Sequence, residues 1–275
     1  MTSSRFSRSF DPRESNRANE EPADSLNQPA SDTGSVAEVI LLSESGTATQ
    51  GVCERTRTSL RPCGVFVPEN YERHYAYPLI IWLHAAGRSE RDIVNVLPHI
   101  SMRNYLGLAL RGTAQAHPRA DADGNPSAGY RWSRSERSRI SFQDELHASV
   151  RRMRQDYHIH TERIFLAGSG DGATMAWELF LARPEWFAGL AAFGGRFPWR
   201  RRPLRRFREL RQKRVFMAAD AHDPQGLSRA EEVAPLLYSA GVDVTVRCHL
   251  PGQHWPQSSF RPIDRWIMQA IGGCL

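Results

Sequence analysis

From about residue 35 onward the chain alternates short apolar runs with amphipathic stretches. Residues 77–84 read YPLIIWLH, an almost unbroken apolar run of the kind that forms a strand buried on both faces. Similar runs predict strands over residues 36–42, 64–68, 105–110, 163–167, 187–193 and 215–219. Residues 242–250 alternate apolar and polar positions, which predicts a strand nearer the sheet edge. Between these runs the period changes to that of a helix. Phe142, Leu146, Val150, Met153 and Tyr157 form one stripe and predict a helix over 142–157. Further helices are predicted over 90–100, cut by Pro98, over 174–181, ended by Pro184, and over 265–271. One more is predicted over 228–240, opened by a Ser228/Glu231 capping box and closed by Gly241. Residues 112–135 hold no period and read as loop.

Strands alternating with helices predict the α/β class, with a mostly parallel central sheet and helices on both faces. Functional groups in such sheets sit on loops at the carboxyl ends of the strands. Residues 1–34 are rich in Ser, Asn, Asp, Glu, Arg and Pro. They offer too little apolar surface to offset their ordering entropy, so a disordered polar tail is expected there, with a single domain over 35–275.

Composition narrows the function classes. No apolar run approaches the roughly 20 residues needed to span a bilayer, and residues 1–14 lack the apolar core of a secretory signal. A cytoplasmic protein is expected. Cys53, Cys63, Cys248 and Cys274 match no metal-binding spacing and read as free thiols, so neither metal nor cofactor is implied. The net charge of +6 is local. Residues 196–214 hold nine arginines and Lys213 against Glu209 alone, a segment charge of +9 that leaves −3 elsewhere. This run reads either as a solvated connecting segment or as a patch for an anionic partner. It lacks the aromatic interleaving of a nucleic-acid surface, and no nucleic acid is expected.

The chemistry-bearing pattern is Gly168-Ser169-Gly170-Asp171-Gly172-Ala173, between a predicted strand and a predicted helix. A strand, a sharp turn of small residues and a helix form the layout of a nucleophile elbow. Gly168 and Gly172 are the small residues that a sharp turn centred on 170 requires. The stretch IFLAGSGDGATMAWELFLARPEWFAGLAAFGG resembles the elbow region of the phospholipase/carboxylesterase branch of α/β-hydrolases, which includes acyl-protein thioesterases and esterases related to polyhydroxybutyrate depolymerase. The resemblance extends over roughly residues 64–271. That family's elbow has the form Gly-x-Ser-x-Gly, and its serine falls on Gly170.

What the resemblance implies follows residue by residue. His84-Ala85-Ala86-Gly87 matches the family's His-Gly-x-Gly oxyanion loop, with Ala85 in place of a glycine. Oxyanion N–H groups would come from Ala85 or Ala86 and from Asp171. Asp223 falls where the family has its triad acid, and His254 where it has its triad base. His254 would accept the nucleophile's proton while Asp223 fixes the imidazole tautomer. Glycine at 170 has no atom that can attack. A silent or strongly impaired serine esterase that keeps a pocket for a small acyl or ester ligand is the expected function. Three routes keep hydrolysis open: Ser169, Asp171 as a carboxylate nucleophile, or a water in the space at Gly170 activated by His254. Tyr130, Trp132, Trp199 and Trp255 are read as packing residues or as walls of a substrate cleft.

Overall fold

The computed structural model describes residues 61–117, 129–201, 205–221, 223–249 and 257–272, with the backbone of short strands at 6–9, 38–42, 119–120 and 126–127. A nine-stranded sheet organises it. In chain order the strands are β1 (Phe6–Ser9), β2 (Glu38–Leu42), β3 (Cys63–Val67), β4 (Tyr77–Leu83), β5 (Leu106–Leu110), β6 (Ile159–Ser169), β7 (Gly189–Phe193), β8 (Arg214–Asp220) and β9 (Asp243–His249). Their order across the sheet is β1-β9-β8-β7-β6-β4-β5-β3-β2. Only β3 runs against its neighbours, pairing antiparallel with β2 and β5; the other pairings are parallel.

Every residue of β4 is buried, as its unbroken apolar run predicts. Successive side chains enter opposite layers. Leu79, Ile81 and Leu83 face a core shared with helices α1 (Glu136–Asp156), α2 (Asp171–Ala182) and α3 (Pro224–Ser239). Ile80 and Trp82 face a second core, closed by Ile93, Leu97 and Ile100 and by helix α4 (Arg261–Gly272).

Several sequence expectations are corrected. Residues 90–100 form not one helix but a 3-10 turn over Glu90–Asn95 and a short helix over Leu97–Ile100. The break falls at Val96, because Pro98 sits in the first turn of the second piece, where its missing N–H leaves no bond unmade. Helix α1 begins at Glu136, six residues before its apolar stripe, capped by Ser135, whose side chain accepts the Ser138 N–H. Helix α3 opens at Pro224 rather than at Ser228, so the Ser228/Glu231 capping box does not form; Asp223 holds the cap position without a side-chain cap bond. Phe6–Ser9 pairs as a strand outside β9. Two tiny antiparallel ladders cross the predicted loop, Ala114–Gln115 with Tyr130–Arg131 and Arg119–Ala120 with Pro126–Ser127.

Candidate functional site

Strand β6 runs into helix α2 through Gly170, which has φ 53° and ψ −114°. That conformation is one that side-chain-bearing residues rarely adopt. The turn is pinned from both sides. The Gly170 N–H donates to the Phe193 carbonyl at 3.0 Å, and the Gly170 carbonyl accepts the Thr174 N–H at 3.1 Å. A Cβ at 170 would meet nothing nearer than the Ala85 Cβ at 3.7 Å, so the space beside it is open. At Gly172 the opposite holds. A Cβ there would overlap the Leu83 and His84 carbonyl oxygens, so only glycine lets α2 approach the end of β4.

The loop after β4 lies against this turn. Ala85 is half-buried, and Ala86 and Gly87 are exposed. Its geometry is set by His84, which is fully buried. The His84 Nε2 accepts the Gly112 N–H at 2.9 Å, so the ring proton sits on Nδ1 and donates to the Ala85 carbonyl at 2.8 Å. The His84 carbonyl accepts the Trp132 Nε1–H at 2.8 Å, and the Gly87 N–H donates to the Tyr130 carbonyl at 2.9 Å. Trp132 is therefore a buried clamp packed on His84 and Phe142, not a cleft wall. Tyr130 lies beneath the Arg111 guanidinium, 4.7 Å from ring centroid to charge. Arg111 in turn forms a two-pronged pair with the buried Glu90, at 2.9 Å and 2.5 Å.

Two titration shifts follow from this packing. Burial would raise the Glu90 pKa, but the hydrogen bonds from Arg111 hold it below the ordinary carboxylate value. Burial pushes the His84 imidazole below its usual 6.5, and the nearby Ala85 carbonyl and carboxylates only partly offset this. A histidine depressed in the folded chain takes up its proton first in the unfolded chain. His84 therefore leaves stability unchanged above pH 6.5 and lowers it as the pH falls below that value, by at most about 1.4 kcal/mol per pH unit. Nuclear magnetic resonance is expected to show the His84 ring taking up its proton only below pH 6.5, because burial disfavours the charged ring. The clamp itself is tested by Trp132→Phe, which keeps the ring but strands the His84 carbonyl. A loss of about 1–3 kcal/mol in urea unfolding is expected.

Asp171, the first residue of α2, has its carboxylate occupied: Oδ2 accepts the Trp132 N–H at 3.1 Å and Oδ1 lies 3.6 Å from Arg134. Its own N–H is among the first of α2, which have no acceptor within the helix. Ser169 is the last residue of β6, buried, and paired in register with Phe193. Strand alternation puts it on the face of Ala167 and Phe165, in the layer of α4 rather than that of α2. Asp223, just past β8, lies half exposed with Oδ2 3.4 Å from the Arg229 guanidinium. Together with Gly194, Gly195 and Ala219 it lines a cavity of about 100 Å³. Gly195 connects that cavity to the turn, since a Cβ there would lie 2.7 Å from the Gly170 carbonyl. The structure thus gathers Gly170, Ala85, Asp171 and, across Gly195, Asp223 at the carboxyl ends of the strands. His254, Trp255, Cys53 and Cys274 lie outside the described residues.

The Glu90–Arg111–Tyr130 stack and the Trp132 clamp escaped sequence reasoning. Glu90 read only as a helix start, and nothing local pairs it with an arginine 21 positions on. Among the described residues no cluster of His, Cys, Asp and Glu could hold a metal ion, and no helix is long and apolar enough to cross a membrane.

No family model matches the chain, and no curated protein does. Solved structures do. The carboxylesterase of Bacillus cereus superposes with a TM-score of 0.58 at 20% identity, covering 78% of this chain and 96% of that one. A carboxylesterase from Mesorhizobium loti gives 0.56 at 17% identity, covering 77% and 96%. A phospholipase/carboxylesterase from Dyadobacter fermentans gives 0.51 at 15% identity, covering 71% and 91%. Together with the mostly parallel sheet and its one reversed strand, these likenesses show the α/β-hydrolase fold.

Proposed function

We propose that this α/β-hydrolase-fold chain is a ligand-binding relative of the serine esterases, in which Gly170 occupies the nucleophile position and ester turnover is silent or strongly impaired. One observation carries the reading. The residue at the β6–α2 turn has the strained φ 53°, ψ −114° geometry and open space beside its Cα, yet it bears no side chain. Elsewhere in this fold such strain presents a serine hydroxyl to the site. Here the bend remains and the hydroxyl is missing.

The surroundings support ligand capture. The N–H of Asp171 and the Ala85–Ala86 segment would face an ester or carboxylate oxygen, as an oxyanion loop does. Asp223 is assigned as the acid and His254 as its base. The Asp223–Arg229 pair is half exposed and contributes under about 1 kcal/mol, so it does not lock the carboxylate away. The routes that would keep turnover fit less well. Asp171 is held by the Trp132 N–H and faces Arg134. Ser169 belongs to the opposite layer of the sheet.

The basic segment is a weaker candidate for the function. Arg206 bonds the Ala182 carbonyl, Lys213 the Phe187 carbonyl, and Arg214 both Asp243 and the Trp266 carbonyl, so three of its cations hold the fold together.

The test is a titration of the native chain with p-nitrophenyl butyrate, following binding heat and nitrophenolate release together. Saturable heat without catalysed release is expected. Release that exceeds the buffer rate and disappears in Asp171→Asn would return Asp171 to the role of nucleophile.

A further inference from the structure

We propose a second ligand site, for a small carboxylate with an apolar tail of about six carbons, along the carboxyl-terminal half of α1. It is independent of the reading of Gly170. Helix α1 packs beside the amino-terminal part of β6 and the 3-10 turn Pro184–Trp186, and the junction holds a half-open cavity of about 190 Å³. A dry apolar cavity of about 150 Å³ accommodates a molecule of benzene's size. Six carbons therefore fit this one.

The walls divide by chemistry. Ile81, Leu146, Val150, Ile164 and Phe187 are buried and make an apolar floor, beside the half-buried Trp186. The rim on the helix side carries two arginines. His147, Arg151 and Arg154 follow at i, i+4 and i+7, one turn apart, along the exposed edge of the apolar stripe that supplies Leu146 and Val150. Arg154 reaches across to the Thr161 carbonyl at 3.5 Å, and Arg151 forms no ion pair among the described residues. Among the described residues the only lining acid, Glu185, is already taken: Arg206 lies 3.0 Å and Arg183 3.7 Å from its carboxylate.

An apolar floor asks for hydrocarbon. Two arginines at the mouth, with the opposing acid neutralised, ask for an anion whose charge stays in water. A monocarboxylate of this length meets both demands. A neutral alcohol meets one, and a cationic amphiphile meets one while opposing the other.

The experiment titrates the full chain with hexanoate and with 1-hexanol, reading tryptophan emission and binding heat at low salt. Hexanoate is expected to saturate below about 10 mM, with an emission change that disappears in Trp186→Phe. The double variant Arg151→Glu/Arg154→Glu lies on an exposed helix surface and is expected to fold. Its affinity for hexanoate is expected to fall at least about tenfold. Hexanol binding as tight as hexanoate would overturn the proposal. So would hexanoate binding that survives the double charge reversal, or an emission change that persists in Trp186→Phe.

Discussion

Gly170→Ser is expected to convert the chain into a working esterase toward short p-nitrophenyl esters, with a rise in kcat/KM of at least about 10³-fold. In a Ser-His-Asp protease, loss of the serine lowers turnover by about 10⁶, so the expected gain is a conservative share of what the missing hydroxyl is worth. The site has room for it. The new Cβ would lie 3.7 Å from that of Ala85, an ordinary contact, and no described backbone atom lies nearer. The backbone conformation is the unfavourable part. A side chain at φ 53° and ψ −114° carries about 1–3 kcal/mol of strain that glycine avoids. The variant is therefore expected to gain activity and lose stability together, with urea unfolding reporting a loss of about 1–3 kcal/mol. The gain should depend on the assigned partners: adding His254→Ala or Asp223→Asn to Gly170→Ser is expected to return the rate near that of the native chain. A variant that unfolds early but hydrolyses nothing, with its cooperative transition intact, would mean that the bend is there without the machinery around it.

Glu90→Ala is expected to have the largest effect on stability, a loss of about 3 kcal/mol. Glu90 is 3% exposed and meets Arg111 through two hydrogen bonds. Removing it leaves a guanidinium charge facing a buried hole. Breaking a buried pair by removing one partner costs about 3–5 kcal/mol. The lower end applies because the Arg111 side chain is 28% exposed and regains some water. The Arg111 side chain also lies over Tyr130, whose backbone is tied to Gly87 and Arg88, so the damage reaches the loop beside Gly170. Removing both charges together, as Glu90→Met/Arg111→Met, is expected to recover most of the loss, since two apolar groups leave nothing unpaired. The pH dependence has the matching sign. The depressed Glu90 carboxyl stabilises the chain above its unfolded value of 4.5, and that contribution is lost as the pH falls below it through the folded value. Urea unfolding of native and variant chains between pH 3 and 7 checks both statements.

The sheet was legible because burial writes itself into composition. Tyr77–Leu83 and Gly189–Phe193 lie within the sheet interior, and continuous apolar runs are what such strands need. Ends of elements were less legible. Helix α3 starts at Pro224 because proline suits a first turn, whereas the Ser228/Glu231 pair placed the start four residues later in sequence. Strand β6 begins four residues before the run expected at 163–167, with a shift of register between Ile159 and Ile164, and its exposed Thr161 and Glu162 interrupt the apolar pattern. At the site, the turn was legible from its small residues, because a sharp strand-to-helix bend demands them at fixed spacing. The supports of the neighbouring loop were not. Gly112, Trp132 and His84 meet through bonds spanning 28 and 48 positions, and no local pattern encodes a partner so far along the chain.

A silent site requires that the β6–α2 bend present residue 170 to the assigned Asp223 and His254. Treatment with an alkyl fluorophosphonate, followed by peptide mass spectrometry, asks this directly. The native chain is expected to remain unmodified, and Gly170→Ser to take up a single phosphonyl group at position 170. Labelling of the native chain at Ser169, or a folded Gly170→Ser chain that takes up no label at position 170, would contradict it.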